Sequence, residues 1–232
     1  MVKEKEKKKE GGSLGRPRNE EEVERLQAAA FELFSLKGVE ATSYSDIAKQ
    51  AYVTKSHIQH YFPKKDKLIS NFVYKSMDSV MAIAAELPQF DTCNALTRLI
   101  IVDYIQLYYA MNSEKMIRMS MDILLDRATT QTVIDAGIEY NLIYLLNDAS
   151  QDNIVEFEDA IRFLYGGIYD RLYDCLSKRK PFEIKPFIIY GIRILEPYVK
   201  EPVPESLVDD LEQMNPWLDE QKSKYNRMLF GL

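Results

Sequence analysis

The sequence has few of the residues that mark metal sites, disulfide frameworks or acid–base catalysis. It contains two cysteines and two histidines in 232 residues. Cys93 and Cys175 are far apart and belong to no ligand motif, so we expect buried free thiols and no metal. The sequence also shows no nucleophile–base pair and no phosphate-binding loop. These absences argue against a helical enzyme, and no cofactor is expected.

Long apolar runs are also missing. No segment reaches the length of about 20 residues that a membrane-spanning helix needs. The lysine-rich N-terminus has no apolar stretch of the kind found in signal peptides. Apolar residues make up 46% and charged residues 28% of the chain, which is ordinary for a globular protein. We therefore expect a cytoplasmic protein without a membrane partner.

Strand patterns are absent as well, whereas helical spacing of apolar residues recurs along most of the chain. Breaks are expected at Asn112, at Ser150 and at the prolines near residues 181 and 202–204. Helices are predicted over residues 20–37, 65–87, 92–111, 114–126, 129–149, 152–178, 184–199 and 205–220.

Residues 42–62 contain signals for two short helices joined by a tight connection. Ser43 and Asp46 have the spacing of a capping box, and Thr54 is a second N-cap candidate. The apolar residues recur at helical spacing: Ile47, Ala48 and Ala51, then Ile58, Tyr61 and Phe62. Helices this short are unstable alone, so they must pack on helix 20–37. Three small helices with a tight turn before the last predict a helix-turn-helix, whose last helix enters the DNA major groove.

The exposed side of that last helix suits a polyanion. It carries Lys55, Ser56, His57, Gln59 and His60, and lysines follow at 64, 65 and 67. Gln can bond adenine, while Lys or protonated His can bond guanine. No acid occurs between residues 54 and 62. An ordinary solvated helix is the alternative interpretation.

Charge is divided unevenly along the chain, whose net charge is −6. Residues 1–68 hold 14 Lys and Arg against 11 Asp and Glu, giving about +3, and the rest carries about −9. Residues 1–18 have no apolar face and are predicted to be a disordered arm. Arg16 and Arg18 on this arm could enter a minor groove, or the arm could simply aid solubility.

Two stretches resemble a known family. AAAFELFSLKGVEATS and YSDIAKQAYVTKSHIQHYFPKKDKL, within residues 21–68, are similar to the N-terminal domain of TetR-type transcriptional repressors. The resemblance implies a homodimer on a palindromic double-stranded DNA operator, released when a small molecule enters the C-terminal domain. It implies phosphate contacts for the residues at Thr42, Tyr61 and Lys65, although the Tyr61 ring could instead be a core aromatic. Ser43, Tyr44 and Thr54, at the helix starts, complete the expected DNA contacts.

Three positions depart from the family pattern. Tyr52 stands in the turn where the family usually has glycine, so a positive φ there would cost about 1 kcal/mol. Gln59 stands where an aromatic residue is common, which affects base preference. Lys64 stands where a capping Ser is expected, so the fourth helix lacks a side-chain cap.

The predicted fold is all-α: a three-helix helix-turn-helix domain over residues 19–68, then a helical bundle for ligand binding and dimerisation over residues 69–232. Asp103 and Glu139 lie inside apolar helices and need partners. One hypothesis is a pocket for an apolar, cationic or hydrogen-bonding ligand. Its proposed walls are Tyr104, Tyr108, Tyr140 and Tyr144. The alternative is that Asp103 lies with Gln106 on a solvated strip and that Glu139 pairs with an arginine such as Arg118.

The two long helices near residues 152–178 and 184–199 match the place of the four-helix dimer interface in TetR-type proteins. Small residues at Gly166 and Gly167 permit close helix approach. The predicted dimer face comprises Ile161, Leu164, Tyr165, Gly167, Ile168, Leu172, Phe187, Tyr190 and Ile194. An internal core is the alternative.

Residues 201–232 are least like the family and could pack on the body, extend the dimer interface or hold a partner. The sequence therefore predicts a dimeric, ligand-responsive DNA-binding repressor. An alternative is a regulator whose C-terminal domain binds a protein instead of a small ligand.

Overall fold

The protein is helical throughout the region that the structure describes. The computed structural model describes residues 20–144 and 154–231, without the side chains of residues 143, 144 and 154. No strand occurs in these two ranges, and the predicted all-α class is confirmed. The α-helices are α1 (Glu20–Lys37), α2 (Tyr44–Gln50), α3 (Lys55–Tyr61), α4 (Lys65–Ala84), α5 (Ala95–Met111), α6 (Glu114–Leu125), α7 (Arg127–Tyr144), α8 (Ile154–Ser177), α9 (Ile184–Leu195), α10 (Leu207–Gln213) and α11 (Asn215–Phe230).

Most described helix ends lie within a few residues of the predicted spans, although α4 ends at Ala84 and α9 at Leu195, earlier than predicted. The ends predicted at residues 149 and 152 lie outside the described residues. The single helix predicted over residues 205–220 is wrong, because the structure has α10 and α11 there. Pro216 lies in the first turn of α11. Proline has no N–H to continue a preceding helix but is tolerated in the first turn of a new one, so the chain breaks at Met214.

Helix α5 is the centre of the body. It packs against α4, α6 and α9, and residues on all sides of it are buried, among them Ile101, Val102 and Ile105. Its apolar character all round therefore reflects neighbours on every side, as the sequence predicted. Asn94 caps its start by accepting a hydrogen bond from the backbone N–H of Thr97 at 2.8 Å.

Helix α4 joins the N-terminal helices to the body. Its first residue, Lys65, lies beside the α1–α2 connection, and later turns pack against α5, α7 and α11. The predicted domain boundary at residues 68 and 69 falls inside this continuous helix.

The C-terminal helix α11 packs on α4 and on α1. Tyr225 stacks on Tyr109 of α5 with ring centroids 4.3 Å apart, and its hydroxyl lies 2.9 Å from the Ser76 hydroxyl of α4. Lys224 pairs with Glu86. The segment that the sequence left unassigned therefore packs on the body and also reaches the N-terminal helices.

Candidate nucleic-acid interface and internal cavity

The predicted helix-turn-helix is present in the structure and is fixed at both helix starts. The Ser43 hydroxyl accepts from the Asp46 N–H at 3.2 Å, and Asp46 Oδ2 accepts from the Ser43 N–H at 2.8 Å. This confirms the capping box. Thr54 Oγ1 accepts from the His57 N–H at 3.3 Å, which confirms the second N-cap. Lys64 makes no side-chain cap, as predicted.

The turn between α2 and α3 adopts the predicted left-handed backbone. Tyr52 has φ 54°, and 94% of its side chain is exposed. The backbone carbonyls of Ala48 and Ala51 accept from the Val53 N–H and from Arg25 of α1, respectively. The turn is therefore held by its neighbours while Tyr52 carries the strain without compensating contacts.

The outer face of α3 presents polar and basic side chains. Lys55, Ser56, Gln59 and His60 are all exposed, as is the capping Thr54. The helix contains no acid. Within the described ranges, neither Lys55 nor the exposed Lys64 and Lys67 beyond the helix is in an ion pair, so their charges are available to phosphate. The packing of α3 on α2 therefore leaves these predicted base-reading side chains on the surface.

His57 and Tyr61 are held differently from the other predicted DNA contacts. His57 Nε2 lies 2.8 Å from Glu22 Oε1, and the Tyr61 hydroxyl donates to Glu22 Oε2 at 3.2 Å. The hydrogen bond from His57 is the main cause that lowers the pKa of Glu22. An α1 carboxylate thus occupies two side chains that the sequence assigned to DNA, and DNA phosphate would have to compete with it.

Three further predicted contacts point into the protein. Thr42 is fully buried, and its hydroxyl donates to the Gly38 carbonyl at 2.6 Å. Lys65 Nζ donates to the Val39 carbonyl at 2.7 Å, and its partial burial lowers its pKa. The Tyr44 hydroxyl is buried, which raises its pKa. As positioned, these side chains fix the α1–α2 connection and its neighbours, which corrects the expectation of direct phosphate contacts. Arg16 and Arg18 lie outside the described residues.

The body contains a cavity of about 110 Å³ between α4, α5, α6, α7 and α8. Its wall is largely apolar and rich in methionine and aromatic side chains. The lining residues include Phe72, Val73, Ser76, Met77, Asp103, Gln106, Met116, Met119, Ser120, Val133, Tyr165, Ile168, Tyr169 and Leu172. Flexible methionines can adapt to the shape of a bound molecule.

Asp103 is the acid in this wall. It is 9% exposed, and burial raises its pKa to about 7. Its Oδ1 accepts from the Tyr165 hydroxyl at 3.0 Å, and Tyr165 in turn accepts from the Asn141 side-chain amide. The predicted pocket role of Asp103 agrees with this position. The alternative of a solvated strip is wrong, because Gln106 lines the same cavity.

The other predicted ligand residues lie elsewhere. Tyr104 donates to Asn215 at 2.7 Å, and Tyr108 donates to Asp219 at 2.9 Å, on the side of α5 that faces the C-terminal helices. Glu139 is exposed and accepts from Tyr74.

Tyr140 donates to Asp78 at 2.9 Å, outside the cavity wall. Arg118 donates to the Leu36 carbonyl at 2.9 Å, so the suggested Glu139–Arg118 pair is wrong. The Tyr144 side chain lies outside the described residues. Tyr104 and Tyr108 line a separate open groove on the other side of α5. A helix that is apolar all round does not reveal which of its sides meets which space, so the sequence could not separate these residues from Asp103.

The predicted dimer face divides into an inner and an outer set. The side chains of Tyr165, Ile168 and Leu172 are buried and line the cavity, and Ile161 is buried in the core. Residues Leu164, Gly167, Phe187, Tyr190 and Ile194 line an open groove between α8 and α9, which Ile168 also borders. The sequence analysis missed Phe163, which is 82% exposed beside this groove. Its position four residues before Gly167, on the same helix face, was the available signal.

The cavity residues on α6 were missed as well. Met116 and Met119 are spaced three apart on one face of a helix whose opposite face is polar. Such spacing indicates a buried stripe, but it does not distinguish a filled core from a cavity wall.

No group of three or more metal-ligating side chains was found within residues 20–144 and 154–231. None of the helices in these ranges combines the length and apolar character that a bilayer crossing demands. Cys175 is buried and Cys93 partly buried, both as free thiols.

Comparisons with known proteins agree with this geometry. Residues 26–71 match the family described as bacterial regulatory proteins, tetR family. No curated protein matches the chain. The fold is similar to that of the multidrug binding protein EbrR, solved with imidazole, at 15% identity and a TM-score of 0.51, over 82% of this chain and 99% of that one. It is also similar to TylP, a TetR regulator from Streptomyces fradiae, at 18% identity and a TM-score of 0.51, over 87% and 97% of the two chains.

Proposed function

We propose that this chain, a TetR-type transcriptional regulator by its N-terminal domain and its fold, acts as a dimeric repressor that a small molecule releases from a palindromic operator. The observation that carries the proposal is the acid-free outer face of α3. Its base-reading side chains are exposed on a capped helix-turn-helix, and Lys55, Lys64 and Lys67 surround them. Such a face supplies both phosphate attraction and base readout.

Helix α6 provides one physical link between the cavity and the DNA-binding head. Met116 and Met119 line the cavity, whereas Arg118 bonds the Leu36 carbonyl at the end of α1. The Asp122 carboxylate fills the space beside Gly38, where a β-carbon would stand. A ligand that displaces the cavity side of α6 would therefore shift the end of α1.

Helices α4 and α11 provide further links. Phe72, Ser76 and Met77 of α4 line the cavity, while Lys65 at its start holds the α1–α2 connection. Ser76 also bonds Tyr225 of α11, which packs on α1. A ligand that favours one arrangement of these helices would change the separation of the two heads and lower operator affinity by linkage.

Dimerisation is proposed through the outer face of α8 and α9. Phe163 and Tyr190 are 82% and 55% exposed, and a β-carbon added at Gly166 or Gly167 would meet no described atom within 4 Å. An exposed apolar face beside small residues suits close helix contact with a second copy. Two copies related by a two-fold axis would match a palindromic site.

The presence of a cavity also favours a small ligand over a protein partner for the body. The cavity of about 110 Å³ lies between five helices and is concave and largely apolar, a shape that suits a small molecule better than the surface of a protein. A partner protein would instead need an exposed patch, and the groove between α8 and α9 is assigned here to the second copy. The small-ligand interpretation is therefore the one that we propose.

The test is selection of bound sequences from random duplex DNA at two salt concentrations. We expect a palindromic consensus. Gln59→Ala should relax specificity at one base position in each half-site, because it removes a base contact. Lys64→Ala is the matched control: it should weaken binding to all sequences alike and lower the salt slope by about 1 for each subunit. Enrichment of a single unpaired half-site would contradict the dimer, and no enrichment would contradict sequence-specific regulation.

A further inference from the structure

The charge in the cavity wall has one sign. Among the described residues that line the cavity there is no Lys, Arg or His, and Asp103 supplies a carboxylate. Within the described ranges, the hydrogen bond that Asp103 accepts comes from the neutral Tyr165 hydroxyl. None of the described lining residues therefore balances the negative charge that Asp103 carries when it ionises. A buried carboxylate in this state lacks the partner that such groups normally require.

The polar groups near Asp103 favour a hydrogen-bond donor as ligand. Gln106 follows Asp103 by three residues, so both lie on the same face of α5. The Ser76 hydroxyl lies 3.1 Å from Gln106 Oε1, and both side chains line the cavity. Carboxylate, amide and hydroxyl oxygens on one side of the void can accept several hydrogen bonds from one ammonium group. Tyr165 and Tyr169 of α8 line the same cavity, and aromatic rings attract cations.

The cavity also limits the size of the ligand. At about 110 Å³ it is close to the roughly 150 Å³ that holds one benzene ring in an engineered protein cavity. Its remaining wall is apolar, with Phe72, Met77, Met116 and Met119 among the lining residues. A long acyl chain or a large dye exceeds this volume, whereas a single ring matches it and needs only small adjustments of the methionines.

We propose that the cavity binds a compact organic monocation, a protonated amine attached to a single apolar ring, with the ammonium on Asp103 and the ring among the methionines. This inference rests on the proposed ligand-responsive function and names the chemical class of the ligand. Anionic ligands are disfavoured, because the carboxylate would repel them and no basic lining residue would receive them.

The ionisation of Asp103 should couple amine binding to pH. The titratable groups facing it in the described wall are Tyr165 and Tyr169 from α8, and their pKa values are raised by burial. Helices α4, α6 and α7 contribute no charged side chain to the wall. Because burial raises the pKa of Asp103 to about 7, binding of a cation below that pH must release a proton. Affinity for the amine should therefore fall by about tenfold for each pH unit below 7, whereas affinity for a neutral analogue should not change.

The experiment compares three probes of nearly equal shape by calorimetry on the full chain: benzylamine, benzyl alcohol and benzoate. We expect benzylamine to bind at least about tenfold more tightly than the other two at pH 8, since a hydrogen bond between two ionised groups is stronger than one that involves a neutral group. Tighter binding of benzyl alcohol or benzoate, or binding of none of the three, would overturn the proposal. This comparison needs no mutation, so it holds even where a cavity variant fails to fold.

Two variants then test whether Asp103 binds the ammonium group. Asp103→Asn should weaken benzylamine binding by about tenfold or more, abolish its pH dependence and leave benzyl alcohol nearly unchanged. Glu139→Gln is the matched control, because Glu139 is exposed outside the cavity wall, and it should leave benzylamine binding unaltered. Equal loss in both variants, or no loss in Asp103→Asn, would refute the assignment.

Operator binding is measured separately without any probe. If the protein selects a palindrome but binds no amine, the proposed function stands and the inferred ligand class is wrong. If the protein binds benzylamine through Asp103 but selects no DNA sequence, the inferred ligand class stands and the proposed function is wrong.

Discussion

Replacing Tyr52 by glycine should stabilise the protein. Tyr52 has φ 54° in the turn between α2 and α3, and 94% of its side chain is exposed. The left-handed backbone costs a non-glycine residue about 1–2 kcal/mol, and glycine removes most of this strain. The greater freedom of glycine in the unfolded chain offsets about 0.5–1 kcal/mol of the gain. Since the exposed ring has little packing to lose, the net expectation is a gain of about 0.5–1 kcal/mol in the free energy of unfolding.

Chemical and thermal unfolding would measure this gain. For a chain of this size it corresponds to a rise in Tm of about 1–4 °C. Tyr52→Ala is the matched control, because alanine also strains at positive φ, and it should stay within about 0.5 kcal/mol of the original. Arg179→Gly, at φ 52° after α8, should show the same stabilising sign. A Tyr52→Gly variant no more stable than Tyr52→Ala would show that the turn is not strained at this residue.

Four further changes test other parts of the structure. Glu22→Gln should raise operator affinity about three- to tenfold, because it removes a negative charge beside α3; weaker binding in fluorescence anisotropy would mean that Glu22 positions the helix instead. Gly38→Ala should destabilise the protein by about 1–2 kcal/mol in thermal unfolding, because φ is +92° and the new β-carbon overlaps Asp122. The same change in an Asp122→Ala variant removes the overlap, so any loss of stability that remains is due to backbone strain. Burial raises the pKa of Asp103 from about 4 to about 7, so its ionisation destabilises the folded state increasingly as pH rises through that window. Asp103→Asn should therefore be more stable than the original protein by almost nothing at pH 4 and by about 4 kcal/mol above pH 7. Urea unfolding measures both proteins, and a stability difference that stays the same at every pH would refute this. Gly167→Arg should give folded monomers in light scattering, since nothing described lies within 4 Å of the added β-carbon in one protomer; a stable dimer would move the interface elsewhere.

Local signals in the sequence predicted the DNA-binding head well. The capping box at Ser43 and Asp46 and the N-cap at Thr54 are both confirmed. Each depends on residues within three or four positions of one another, so short-range chemistry decides them. The exposed face of α3 follows for the same reason, because Ile58 fixes which side of the helix is buried.

Pairings between distant residues were not predictable in this way. Glu22 reaches His57 and Tyr61 across 35 and 39 residues, and nothing in their spacing indicates that contact. Thr42 shows a different limit: its hydroxyl bonds the carbonyl of Gly38 only four residues away, yet the spacing did not indicate that the side chain would be buried. Resemblance to a family gave these positions a role, but only packing shows which way a side chain points.

The body shows the same division between local and tertiary information. Sequence alone determined that the protein is all-α, where most helices begin and end, and that α5 is buried on every side, because helix periodicity and caps are properties of neighbouring residues. Only the tertiary structure decided that Asp103 faces a cavity while Tyr104 and Tyr108 face the C-terminal helices. The reason is geometric. A cavity is the space left where five helices fail to meet, and that space depends on the packing of all of them together.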